Sequence, residues 1–91
     1  MGKIINLEEA VGISKKLRQG GKTTVLVGGC FDILHKGHEY FLTNAKKAGD
    51  ILVVMLESDS NVKRLKGEER PVNNQKKRAE SLAKLEIVDY I

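Results

Sequence analysis

The 91 residues predict an α/β domain built on a parallel sheet. Two observations carry that reading. Two short apolar runs, residues 23–27 and Ile51–Leu56, have the length and composition of strands buried on both faces. Segments with helical spacing and helix-end signals stand before, between and after them, and strands that alternate with helices pair in parallel through right-handed crossovers.

The elements follow in order. A first helix is expected over residues 7–18. Asn6 can cap it, and Glu9 three residues on completes a capping-box pattern. Leu7, Ala10, Val11 and Leu17 give it a partial apolar stripe, and Gly20-Gly21 end it. Residues 23–27, β-branched and apolar between glycines, form the first strand, which ends at Gly28-Gly29. A second helix over residues 36–48 stops at Gly49, and the run at 51–56 is the second strand. A short helical turn near 61–65 precedes a loop through Gly67 and the sole proline, Pro71. A further helix is expected over 74–85, and residues 87–91 open a third strand. The chain reads as one domain, 1–91, with a leading helical segment (1–22) and a core (23–91).

Composition narrows the class. The chain is 41% hydrophobic and 31% charged, which is globular rather than disordered. A chain this short buries about 60–65% of the surface its unfolded state exposes, enough for one small core. No apolar run reaches the roughly 18 residues of a membrane span, and the N-terminus lacks the apolar region of a signal peptide. The single cysteine, Cys30, excludes an internal disulfide and a multi-cysteine zinc site. A cytoplasmic location is the expectation. The net charge of +4 is uneven: residues 60–84 hold eight basic and three acidic side chains, and the rest of the chain is slightly acidic. A basic segment of this kind suits phosphate, in a small molecule or in nucleic acid, and it also suits a solvated helix face.

Ligands of parallel α/β sheets bind beyond the carboxyl ends of the strands, which puts residues 28–38 at the expected site. The stretch reads Gly28-Gly29-Cys30-Phe31-Asp32-Ile33-Leu34-His35-Lys36-Gly37-His38. Glycines let backbone approach a bulky anion, and the unsatisfied first-turn amides of the following helix attract phosphate. His35 and His38, three apart at that helix start, can lie near one face. His38 heads a stripe expected to run through Phe41 and Ala45, so it should point toward the sheet edge. Gly37 removes a side chain where substrate would come close. Two imidazoles aimed at one point can stabilise charge on a transferring phosphoryl group without a covalent nucleophile. A zinc site fits poorly, because the spacing is not i, i+4 and no Cys ligand accompanies the pair.

This stretch resembles the signature of the cytidylyltransferase-like nucleotidyltransferases. Within them the leading helix and the segment from Lys66 to Asn73, Lys-Gly-x-x-Arg-Pro-Val-Asn, look like the adenylyltransferase domain of ADP-heptose synthases. Glycerol-3-phosphate cytidylyltransferases are the nearest sister group. Class I aminoacyl-tRNA synthetases share a related motif, but nothing else here supports them. The resemblance covers residues 4–91 and implies a Rossmann-like, three-layer nucleotidyltransferase fold, of which the N-terminal half to two-thirds would be present.

The resemblance also implies a reaction. A phosphate monoester attacks the α-phosphorus of ATP (or CTP), accompanied by Mg²⁺, and pyrophosphate leaves. By that resemblance His35 and His38 act at the phosphates, and Gly28, Gly29, Cys30 and Phe31 line the nucleotide, with Gly37 and Lys36 nearby. Lys63 and Lys66 fall near the substrate phosphates, Lys66 more convincingly because it precedes a loop glycine. Arg78 matches an Arg that begins the family's next helix and heads a stripe with Leu82 and Leu85. A catalytic or ligand-binding role is the expectation for it, with a structural salt bridge as the alternative. Arg70 either reaches the sugar phosphate or fixes its loop. Asp32 either assists metal or substrate or caps the loop and helix start; no metal site made of protein ligands alone is expected. Cys30 reads as a packing residue rather than a reactive thiol. Asp59, with Ser58 and Ser60, reads as a helix N-cap.

Two departures matter. The family domain continues past its third strand, so the expectation is a fragment or a reduced relative that completes its sheet through another chain. The sister cytidylyltransferases carry Arg-Tyr-Val-Asp where this chain has Glu86-Ile87-Val88-Asp89, which favours ATP. The expected partners are a nucleoside triphosphate and a phosphorylated small molecule such as a heptose 1-phosphate, with a homodimer in view and no membrane. The alternatives are a glycerol-3-phosphate-type cytidylyltransferase and a non-catalytic nucleotide-binding or dimerisation module. Nucleic acid is disfavoured, since only two Phe and two Tyr are available for stacking.

Overall fold

The computed structural model describes residues 2–91. The first helix, α1 (Leu7–Gln19), begins as its sequence requires: Asn6 Oδ1 accepts the Glu9 amide at 2.8 Å, and Glu9 Oε1 accepts the Asn6 amide at 3.1 Å. Strand β1 (Thr24–Gly29), helix α2 (Lys36–Lys46), strand β2 (Ile51–Leu56), helix α3 (Asp59–Lys66) and helix α4 (Gln75–Ala83) follow. Ser58 caps α3 and Asn74 caps α4, each accepting an amide three residues on.

The strands β1 and β2 pair in parallel, with Val25 opposite Leu52 and Val27 opposite Val54. The expected third strand contracts to an isolated parallel bridge between Tyr90 and Val53. The reason lies in Asp89. Its carboxylate accepts the Leu52 amide at 2.7 Å and pairs with Lys46, while the chain before it turns through a Val88 N–H to Leu85 C=O bond. Of residues 87–91 only Tyr90 keeps a sheet pairing. Lys3 pairs in parallel on the far side of Tyr90, an addition that the sequence did not announce.

Burial corrects the expectation of strands buried on both faces. Leu52 and Val54 are buried and Val25 and Val27 half-buried on one face, where they join Leu42, Leu82, Val88 and Phe31 in the core. On the other face Leu26 and Met55 are each 59% exposed. That face and α1 border an open apolar groove of about 830 Å³, whose lining residues include no imidazole, guanidinium or carboxylate. Helix α2 also turns differently from its expected stripe: Leu42 is buried and Phe41 is half exposed, so the inward row runs His38, Leu42, Ala45. Among the described residues no helix is long and apolar enough to cross a membrane.

Candidate functional site

Beyond the carboxyl ends of β1 and β2 lies an open cavity of about 900 Å³. The residues from Gly28 to Ile33, His35 and His38 supply one wall; Glu57, Leu65, Lys66 and Arg70 supply the other. Nine of the residues singled out in the sequence are therefore gathered here: Gly28, Gly29, Cys30, Phe31, Asp32, His35, His38, Lys66 and Arg70.

The histidines are fixed by the helix they begin. His35 is the N-cap of α2, and its Nδ1 accepts the Gly37 amide at 3.0 Å. His38 Nδ1 accepts the His35 amide at 3.4 Å, a reciprocal cap made of two imidazoles. The rings stack with centroids 4.0 Å apart. With each Nδ1 accepting from backbone, the proton of each neutral ring sits on Nε2, leaving two N–H donors for a ligand. Burial, with the neighbouring His35 ring adding repulsion, holds the His38 imidazole below its ordinary pKa. The shift favours the neutral ring, whose Nε2–H is a hydrogen-bond donor rather than a cation.

Gly37 has a different use from the one its position implied. A Cβ there would stand 2.8 Å from His35 Cε1, so glycine is needed for the capping ring to close on the helix start. Gly29 serves Phe31 in the same way, since its Cβ would meet the Phe31 ring at 2.8 Å. Phe31 is buried, has a positive φ of 46°, and packs its ring 5.3 Å from that of His38. A bulky residue in the left-handed region is strained, and buried contacts on both sides hold it there.

Asp32 neither caps the helix nor remains free for a metal. Its Oδ2 accepts the Val72 amide at 2.8 Å and Arg70 Nη1 at 3.2 Å, and its Oδ1 accepts the Asn73 amide at 2.8 Å. Asn73 Nδ2 returns a bond to the Asp32 carbonyl at 2.7 Å. The carboxylate is spent on tying residues 70–73 to the motif loop. Burial would raise its pKa, but the Asn73 and Val72 amides and the Arg70 guanidinium outweigh that and hold it below the ordinary carboxylate value.

Arg78 is the largest correction. Instead of lining the cavity, its side chain is fully buried. Nη1 donates to the Cys30 carbonyl at 2.7 Å, Nε to the Asn73 carbonyl at 3.0 Å, and Nη2 to Asp59 at 2.7 Å. Asp59 is accordingly an ion-pair partner, and Ser58 is the cap. Lys63 pairs with Glu68 at 3.4 Å on the exposed side of α3, and neither Lys63, Lys36 nor Gly37 lines the cavity. Cys30 is half-buried, and its carbonyl is what the fold uses. Glu57, Leu65 and Ile33 line the cavity without having been singled out. Glu57 was findable, because it directly follows the apolar run that ends at the ligand edge.

The chain resembles known proteins over nearly all of its length. The sequence profile described as cytidylyltransferase-like matches residues 26–91. The chain is 53% identical to the bifunctional protein HldE of Nitratiruptor sp. over 88 residues, 97% of this chain and 19% of that protein. It is 54% identical to the HldE of Campylobacter fetus over 98% of this chain and, again, 19% of the relative. The chain thus spans about one fifth of the length of these curated relatives. Among solved structures, the lipopolysaccharide core biosynthesis protein of Thermoplasma volcanium superposes with a TM-score of 0.71 at 36% identity, covering 77% of this chain and 56% of that one.

Proposed function

This chain belongs to the cytidylyltransferase-like family, and from that premise we propose that its cavity serves nucleotidyl transfer, with AMP passing from ATP to a sugar phosphate. An oxygen of the acceptor phosphate attacks the α-phosphorus, the bond from that phosphorus to the bridging oxygen breaks, and pyrophosphate leaves with the bonding pair. No proton has to move. The chain's own contribution is positioning and donation to the charged oxygens. His35 and His38 present Nε2–H groups, the backbone from Gly28 to Phe31 lies along the nucleotide, and Lys66 adds positive charge, with the Arg70 guanidinium held nearby by Asp32. The reading rests above all on two stacked imidazoles whose Nδ1 atoms are both taken by backbone amides.

No three His, Cys, Asp or Glu side chains converge as a metal site among the described residues, and Asp32 is committed elsewhere. Mg²⁺ fits this site as a passenger on the triphosphate, where it neutralises phosphate charge. ATP is favoured over CTP by Glu86 standing where the sister cytidylyltransferases carry Arg. A heptose 1-phosphate is the acceptor suggested by likeness to ADP-heptose synthases, and a homodimer is part of the same proposal.

The test is pyrophosphate release with Mg-ATP and a sugar phosphate. His38→Ala is expected to lower turnover by about 10²–10³-fold, the usual cost of one donor to developing charge, with far-UV circular dichroism unchanged. Turnover at the parental rate in that variant would refute the reading. Nucleotide binding without pyrophosphate release would favour a non-catalytic binding module.

A further inference from the structure

We propose that Glu57 is a specificity residue that accepts hydrogen bonds from the hydroxyl groups of a sugar phosphate acceptor. This inference rests on the transfer function proposed above and names what its acceptor must offer besides phosphate.

Glu57 sits one residue past β2, and its amide donates to the Gly29 carbonyl at 3.1 Å. The parallel ladder therefore reaches one residue further, and it fixes Glu57 at the strand ends where the cavity opens. One carboxylate oxygen, Oε2, accepts Asn61 Nδ2 at 3.0 Å, which ties the side chain to the first turn of α3. The other, Oε1, has no protein donor among the described residues, and no buried side-chain oxygen there lacks a partner, so Oε1 is open to solvent. Among the described residues no cation pairs with this carboxylate. The described ion pairs join Lys46 to Asp89, Lys63 to Glu68, Arg70 to Asp32 and Arg78 to Asp59.

Chemistry makes that placement informative. The other polar groups lining the cavity are imidazole N–H groups, glycine backbone and Lys66, which suit phosphate, and Asp32, whose carboxylate is taken up by the Val72 and Asn73 amides and by Arg70. An unpaired carboxylate in the same wall repels phosphate from its own position and selects O–H or N–H donors instead. A sugar phosphate carries both kinds of group on one small frame. Its phosphate goes to the imidazole N–H groups and Lys66, and its hydroxyls to Glu57. A phosphate monoester without hydroxyls leaves Glu57 unmatched, and a site built to bond a hydroxyl discriminates strongly against such an analogue.

The experiment is calorimetric titration of the parent chain and of Glu57→Ala and Glu57→Gln with three probes: glucose 1-phosphate, ethyl phosphate and Mg-ATP. The parent is expected to bind glucose 1-phosphate about tenfold or more tighter than ethyl phosphate, the scale of a hydrogen bond to a charged group. Glu57→Ala should remove most of that preference and leave ethyl phosphate and Mg-ATP within about twofold of the parent. Glu57→Gln, which keeps shape and one acceptor, should fall between and covers the case in which the alanine variant fails to fold. Equal losses for all three probes, or an undiminished preference in both variants, would overturn the inference. A parent that binds Mg-ATP but does not prefer glucose 1-phosphate overturns it alone. A parent that binds none of the three overturns the transfer function as well.

Discussion

Asp32 shows how far a single carboxylate can be committed by its surroundings. Two backbone amides and one guanidinium converge on it, and all three come from residues 70–73. Its pKa is depressed in the folded chain, so the unfolded chain takes up the proton more readily. The stabilisation it brings is complete above about pH 4, the ordinary carboxylate value, and is lost as pH falls through the lower folded value. Replacing it by Asn keeps the size but halves the acceptor capacity. In Asp32→Asn the amides of Val72 and Asn73 should exchange with deuterium faster, while those of β1 and β2 keep their protection. The parent's unfolding free energy should fall below about pH 4 more steeply than the variant's. Unchanged exchange at Val72 and Asn73 would show that the tether is dispensable. The sequence placed Asp32 at the site and left its role open between metal, substrate and cap. Its partners lie some 40 residues on, and no local spacing reveals a contact of that span.

Arg78 makes the same point at the level of elements. Its guanidinium joins the loop after β1, the segment before α4 and the first residue of α3. The lysine-bearing helix and the glycine-ended strand are thereby held at a fixed separation across the cavity. Arg78→Met keeps much of the volume but leaves two carbonyls and a carboxylate without their donor. The expected cost is about 3 kcal/mol in urea unfolding, with Arg78→Lys intermediate, because an ammonium cannot reproduce three diverging bonds. Full stability combined with lost nucleotide binding would instead give Arg78 a direct contact with ligand. Element boundaries themselves were well marked in the sequence, since caps are local. Asn6 with Glu9 at α1, and Gly28-Gly29 at the end of β1, stand where they were read. Asp59 was misread because Ser58 and Asp59 are both good caps by type, and only the distant Arg78 decides between them.

For the molecule as a whole, the parallel sheet and the cluster of motif residues at its carboxyl edge were legible, and the distribution of burial was not. An apolar run signals a strand but not which of its faces is covered. Leu26 and Met55 look identical in type to Val27 and Val54, yet the first two stand exposed across the groove from α1. The third strand failed to form as expected because Asp89 takes a ladder amide with its side chain, a competition that hydrophobic patterning does not register. This arrangement brings the β1–α2 loop and the α3–α4 segment to face one cavity, and on the proposed function that cavity receives a triphosphate at the imidazole Nε2 atoms. The most direct test follows the ring resonances of His35 and His38 by NMR while the folded chain is titrated with Mg-ATP and, separately, with Mg-CTP. Selective, saturable shifts of both rings, at lower concentration with Mg-ATP, are the predicted result. Unmoved ring resonances with either nucleotide would contradict it.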